Sequence, residues 1–320
     1  MKLSVALCTY NGEAFLGEQL ASIARQGRLP DEVVVCDDRS SDRTAEIVRN
    51  FADSTSFQVA FHTNDTNLGS TKNFEAALAR CSGDIAVLAD QDDVWPSHKL
   101  QRIEDAFASH PDAAFVFSDA QIVDESLQPQ RYTLWDAVGF GLREKQLVRW
   151  GEAPSVLLRY NVVTGATLAL RTEYRDVVLP IPEVWVHDGW IALLLSMVAP
   201  CAFIDEPLLL YRQHSDQQLG GTRTTFLEKI RLAKSQGRDS FARTACEYEA
   251  VLERTQAHAE RVIDPRWITA LGRKVAHFRA KARMREDKIV RLGLVINELF
   301  RLHYVRYSRG WKSLAQDLFL

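Results

Sequence analysis

The chain has 320 residues, 46% of them hydrophobic and 25% charged, which excludes a disordered chain and suffices for the core of an enzyme of one or two domains. Its formal net charge is only −3, so no nucleic-acid partner is expected. The total hides an asymmetry: residues 221–320 hold 21 Lys and Arg against 11 Asp and Glu, a balance of +10, leaving residues 1–220 at −13.

In chain order, LSVALC (3–8), EVVVCD (32–37), FQVAFH (57–62), DIAVLAD (84–90) and AAFVFSD (113–119) are short apolar runs that read as buried strands. Between them, SSDRTAEIVRNF, STKNFEAALARCSG and PSHKLQRIEDAF have helical spacing with start signals at their heads. This β-α alternation predicts an α/β fold, a Rossmann-like and mostly parallel central sheet flanked by helices. The longest apolar stretch, WIALLLSMVAPCAFI (190–204), is interrupted by Pro200 and falls short of the about 20 residues of a membrane span; a buried helix followed by a strand is expected. Cys8, Cys36, Cys81, Cys201 and Cys246 show no C-x-x-C spacing and read as thiols of a reducing compartment. The apolar run in MKLSVALCTYNG is too short for a secretion signal, so a cytoplasmic location is expected.

In such sheets ligands bind at the carboxyl ends of the strands, where this sequence places CTYNG, CDDRSSD and ADQDDVW. No G-x-G-x-x-G and no G-x-x-x-x-G-K-[ST] occurs, which argues against a dinucleotide dehydrogenase and a P-loop enzyme. Clustered carboxylates suit a hard divalent cation, Mg²⁺ or Mn²⁺, shared with substrate phosphates.

The ordered motifs VALCTYNGEAFLGEQLASIARQ, EVVVCDDRSSDRTAEIV, NLGSTKNFEAAL, LADQDDVWPSHKL, VHDGWIALL and LYRQHSDQQLGG resemble the inverting family-2 glycosyltransferases, in particular their bacterial rhamnosyltransferase-like branch. The resemblance covers about residues 1–220. It implies a GT-A fold, with 1–119 binding a nucleotide sugar and 120–220 forming the acceptor side, and a metal-dependent transfer of a sugar to a saccharide or lipid-linked acceptor in cell-surface polysaccharide synthesis. The donor implied is a dTDP- or UDP-sugar, with dTDP-L-rhamnose favoured by DQDD and YRQH.

Matched position by position, the resemblance puts Thr9, Tyr10 and Asn11 at the nucleotide, Asp38 at the pyrimidine N3–H, and Asn67, Gly69 and Lys72 in a loop beside the donor. It makes Asp92 the residue near the ribose, Asp93 the metal ligand, His214 an extra metal or diphosphate ligand, and Asp90 and Arg212 supporting residues. Asp188 stands where relatives carry the base that deprotonates the acceptor. The bland readings are helix caps, Asp93 for a helix near Pro96 and Asp188 for one over 189–198, and for Lys72 a solvated helix face. The irregular, aromatic stretch 120–165 is expected to line the acceptor side.

Residues 221–320 read as a basic, helical extension. DKIVRLGLVINELFRLHYVRYSRGWKSLAQDLFL has the composition of an interfacial amphipathic helix, so peripheral contact with an anionic membrane stands beside packing on the catalytic domain or on a second subunit, as in a homo-oligomer. The competing function class is a nucleotide-binding or nucleotidyltransferase-like α/β module, which would normally show a basic, Gly-rich loop after strand one; CTYNGEAFLG lacks it.

Overall fold

The computed structural model describes residues 1–214, 237–283, 288–308 and 313–314. Its first third alternates strand and helix: β1 (Leu3–Thr9), α1 (Leu16–Ala24), β2 (Glu32–Asp37), α2 (Thr44–Ser54), β3 (Gln58–Thr63), α3 (Ser70–Arg80), β4 (Ile85–Ala89) and α4 (Lys99–Ser109). Every residue of β1, β2 and β4 is buried, as expected of strands covered on both faces. Alternate residues serve opposite faces: Ala6, Cys8, Val34 and Cys36 pack on one core, and Val5, Leu7, Val33 and Val35 on the other.

The middle of the chain adds β5 (Phe115–Val123), β6 (Pro129–Thr133), α5 (Leu134–Val138), α6 (Leu142–Arg149), α7 (Ala153–Leu157), β7 (Leu168–Arg171), α8 (Arg175–Val178), α9 (His187–Val198) and β8 (Cys201–Arg212). The sheet order is β3-β2-β1-β4-β7-β5-β6, with β8 also paired to β5. Pairings among β1 to β4 are parallel. Beyond them the sheet is mixed: β7 runs antiparallel to both β4 and β5, and β6 to β5, while β8 runs parallel to β5, so four of the seven pairings among the described residues are parallel, as expected. The register aligns Thr9 with Asp37 and Leu7 with Ala89, and residues 10–12, 38–40 and 90–93 therefore leave the sheet at one edge.

The stretch 190–204 forms most of α9 and the start of β8, and among the described residues no helix is long and apolar enough to cross a membrane. The aromatics of 120–165 depart from expectation. Trp135 and Phe140 are buried against Phe117 and Phe203, where ring-on-ring packing is worth more than a wet acceptor wall.

Among the described residues four further helices follow, α10 (Gly237–Ala257), α11 (Arg266–Ala282), α12 (Lys288–Phe300) and α13 (His303–Tyr307). The expected boundary at 220/221 and the end of the LYRQHSDQQLGG motif lie outside the described residues. Val251, Trp267 and Leu271 share one core with the buried face of α9. The Trp185 indole N–H donates to the Glu247 carbonyl at 2.7 Å, and Arg254 donates to the Val177 and Leu179 carbonyls.

Candidate active site

A cavity of about 640 Å³ opens over the carboxyl edge of β1, β2 and β4. Thr9, Tyr10, Asn11, Asp38, Asn67, Asp90, Asp92, Asp188 and His214 all line it; Gly69, Lys72, Asp93 and Arg212 do not. Its floor is fixed by hydrogen bonds between loops distant in sequence. The Gln91 amide accepts from Tyr10 N at 2.8 Å and donates to Tyr10 O at 3.0 Å, and a Cβ on Gly12 would overlap that amide. Asn11, in the left-handed region at φ 47°, accepts from Ser41 N, while its own N–H donates to Ser40 Oγ. Thr9 turns its hydroxyl inward to Asp37, leaving half-exposed Tyr10 to face the cavity.

The acid cluster is arranged differently from the expectation. Asp92 meets His214, Oδ2 to Nε2 at 2.8 Å. Asp93 is fully buried, accepts from Arg212 N at 3.1 Å through Oδ1, and has no partner for Oδ2 among the described residues. The chain bends at Gln91 and Asp92 after β4 ends at Ala89, which leaves Asp90, Gln91 and Asp92 lining the cavity and Asp93 inside, so Asp92 is the carboxylate beside His214. Nor does Asp93 cap a helix: α4 begins at Lys99 with no side-chain cap. Burial, with Asp92 and Asp188 nearby, pushes Asp90 up to about 7; burial also raises Asp93 well above the ordinary carboxylate range, with Asp92 and Asp90 adding to it. The internal cation facing this pair is Lys99, brought down to about 7 by burial and donating to the Ala166 carbonyl. Arg212 is a strut: its guanidinium donates to the Asp92 and Glu125 carbonyls and to Glu18, and lies over the Phe15 ring at 4.6 Å. Phe15 in turn packs on the His214 imidazole at 4.8 Å.

Asp38 holds the donor-side loop. Its Oδ1 accepts from Leu68 N at 2.7 Å and Asn64 Nδ2 at 2.9 Å, and its Oδ2 from Gly69 N at 2.8 Å, which leaves one lone pair on Oδ2 for a ligand N–H. Gly69 takes φ +79° at the head of α3, a conformation that favours glycine. Lys72 points away, bound to Glu75 at 2.8 Å and to the Ile181 carbonyl at 2.6 Å, where it supports packing against the 181 loop.

Asp188 lies in the first turn of α9, whose N-cap is Val186, so it is not the capping residue. Its carboxylate accepts from Gly165 N at 3.2 Å, Asn161 Nδ2 at 3.1 Å and Gly189 N. Burial still pushes it up to about 6 against these hydrogen bonds. Beside it His187 is buried, stacked on Phe74 at 4.0 Å, and neither ring nitrogen has a partner among the described residues; burial lowers it to about 3, which keeps it neutral. Sequence reading missed Gln91, Lys99, Phe15 and Asn161. Their work is done across gaps of tens of residues, for which a single sequence carries no signal.

Another group of metal-ligand type among the described residues, His277, Glu298 and His303 with ligand atoms within 4.8 Å of one another, is already joined internally. Both Nδ1 atoms contact Glu298 Oε2, at 2.5 and 2.9 Å, and His277 Nε2 contacts Ser308 Oγ at 3.0 Å.

The fold is of the GT-A type found in solved glycosyltransferases. Residues 4–156 match the family model of Glycosyl transferase family 2. An uncharacterized glycosyltransferase of Nostoc sp. is 27% identical over 224 residues, covering 67% of this chain, which spans 65% of that relative's length. The Escherichia coli UDP-Glc:alpha-D-GlcNAc-diphosphoundecaprenol beta-1,3-glucosyltransferase WfgD is 27% identical over 137 residues, 41% of this chain and 53% of its own. Among solved structures, Staphylococcus aureus TarS 1-349 in complex with UDP-GlcNAc superposes with a TM-score of 0.55 at 18% identity, covering 99% of this chain and 90% of that one. The Pyrobaculum calidifontis mannosyltransferase PcManGT, in complex with GDP-Man and Mn²⁺, gives 0.52 at 19% identity, covering 99% and 85%.

Proposed function

We propose that the chain moves a sugar from a nucleoside-diphosphate donor to an acceptor hydroxyl with inversion, Asp188 taking the hydroxyl proton. The observation that carries this reading is a single cavity in which a buried carboxylate at about 6 faces the same space as Tyr10, Asp38 and the Asp92–His214 pair. Asp188, held by three N–H donors, is ionised at neutral pH and basic enough to accept the proton as the new bond forms. Tyr10 offers a ring face to the base, and Asp38 one lone pair.

A divalent cation fits the site. Among the described residues lining the cavity there is no Lys or Arg, so a donor diphosphate would stand unneutralised beside Asp90 and Asp92. Asp92 and His214 would hold the ion, with Asp90 behind them, and a mixed oxygen and nitrogen set favours Mn²⁺ over Mg²⁺. Bound there, the ion supplies charge stabilisation for the departing diphosphate. Residues 10–15 after β1, YNGEAF, carry no Lys or Arg, whereas nucleotidyl transfer would be expected to use basic side chains there.

The donors to try are UDP-glucose and UDP-GlcNAc, on which relatives act or which they bind, and dTDP-L-rhamnose on the strength of the DQDD and YRQH patterns. Cell-surface polysaccharide synthesis is the setting that these relatives suggest, with a saccharide or lipid-linked acceptor. Melting the protein with each donor, with and without Mn²⁺, should reveal a donor whose stabilisation needs the metal. If no nucleotide sugar raises the melting temperature under either condition, the reading is wrong.

A further inference from the structure

Among the described residues, the C-terminal helices leave one face uncovered. On α12, Leu292, Ile296, Leu299 and Phe300 recur at three- and four-residue spacing and are exposed, Phe300 at 85%, while Val295 and Glu298 are buried. On α13, His303, Tyr304 and Tyr307 turn inward, and the other side carries Leu302, Val305 and Arg306, the two apolar residues exposed at 51% and 46%. Six large apolar side chains on consecutive helices are more than scattered surface residues, and such a patch marks an interaction site. Next to it, Arg273 on α11, Arg301 and Arg306 surround a cavity of about 280 Å³ that Ala276 and His303 complete. The carboxylate buried beside it, Glu298, is taken by His277 and His303, so it does not neutralise these guanidinium groups. Arg306 belongs both to this cavity and to the apolar side of α13, which makes the two features one surface.

We propose that this surface seats on an anionic lipid bilayer, with Phe300, Leu302 and their neighbours in the acyl boundary and a lipid phosphate in the cavity of Arg273, Arg301 and Arg306. Charge selects the occupant. A second copy docking by the same face would bring three arginines against three in a twofold contact, a like-charge juxtaposition that disfavours pairing. A leaflet of anionic headgroups satisfies both parts, since guanidinium groups match phosphate in geometry and charge and an exposed aromatic beside cations is the usual composition of an interfacial helix. The balance of +10 over residues 221–320 acts in the same direction. Docking does not depend on the transferase reading. Its consequence, that the acceptor is lipid-linked and met at the membrane surface, does rest on that reading.

The test is flotation of the full chain with vesicles of phosphatidylcholine alone and of an equal mixture with phosphatidylglycerol, without donor or turnover. Binding to the mixed vesicles, weakened by salt, is expected, with little on phosphatidylcholine alone. Arg301→Gln and Arg306→Gln should each weaken it about fivefold and reduce the salt dependence, and Phe300→Ser should weaken it about tenfold at any salt. All three residues lie outside the catalytic cavity, so melting temperature and donor-induced stabilisation should stay at wild-type values. Equal flotation by all variants, or none by the wild type, overturns the proposal. So does stabilisation by inorganic pyrophosphate without vesicle binding, which would make the cavity a free-phosphate site, or a dimer seen by light scattering that Phe300→Ser dissolves. Vesicle binding without sugar transfer would leave docking in place and remove the transferase reading alone.

Discussion

At the scale of single residues, the cavity turns on which carboxylate does what. Asp188→Asn keeps one acceptor oxygen, for Gly189 N and Asn161 Nδ2, at the cost of the hydrogen bond from Gly165 N to the other oxygen, and cannot take a proton. Turnover should fall at least about a hundredfold, with melting temperature and donor affinity near the parent values; activity within a few-fold of wild type would place the base elsewhere. Because this carboxyl is raised to about 6, the ionised base is lost as pH falls, so turnover should decline about tenfold per unit below pH 6, a limb to be read in a pH-rate profile. Asp92 and Asp93 give a second, paired prediction. Asp92→Asn should remove Mn²⁺-dependent donor binding, measured by calorimetry, whereas Asp93→Asn, at a buried position bonded to Arg212 N, should keep that binding within a few-fold. The reverse outcome would restore Asp93 as the ligand. The sequence showed that acids gather here, but adjacent acids differ by which side of the backbone they occupy, and that is decided by the strand and its neighbours.

At the scale of elements, α11, α12 and α13 are tied by His277, Glu298 and His303. A carboxylate only accepts, so both imidazoles donate to it through Nδ1. Burial holds His277 below its ordinary value, with Lys281 adding to that and Glu298 opposing it. Glu298 is also held below its ordinary value, its hydrogen bonds to the two histidines outweighing burial. The signs agree. A histidine lowered on folding favours the neutral form, so stability is lost as pH falls below the unfolded value of about 6.5. A lowered glutamate contributes above the unfolded value of about 4.5, and that contribution disappears as pH falls through its folded value. Melting temperature should therefore drop between pH 7 and 5, and His277→Gln should flatten that part of the curve; an unchanged slope would show that this imidazole does not titrate on unfolding. None of this knot was legible in the sequence, where its three members are separated by up to 26 residues in a region read only as basic and helical.

At the scale of the whole molecule, the C-terminal helices belong to the main core. Val251, Trp267 and Leu271 are buried with the sheet and α9, each worth about 1.5–3 kcal/mol relative to exposure, against a total stability of about 5–15 kcal/mol for a typical protein. A chain ending near residue 220 should therefore melt far below the full chain or aggregate on expression, as circular dichroism and solubility would show. A cooperative melt at the parent temperature would mean that the first 220 residues fold alone. Packing on the first 220 residues and membrane contact, which the sequence presents as alternatives, would fall to different helices under the docking proposed above: α10 and α11 face the core, and α12 with α13 carries the exposed apolar side chains.

The sequence by itself determined the β-α alternation, the edge at which Thr9, Tyr10, Asp38 and Asp90 to Asp93 collect, and the placing of Asp188 at the start of a buried helix. These follow from local periodicity, since a run such as LSVALC or EVVVCD can bury itself only as a strand covered on both sides. Tertiary structure alone decided that Asp92 rather than Asp93 reaches His214, that Lys72 and Arg212 serve packing, that Trp135 and Phe140 enter the core, and that β6 and β7 pair antiparallel. Each of these depends on where a residue distant in the chain comes to rest, and on the burial and hydrogen bonding that only the assembled sheet and helices impose.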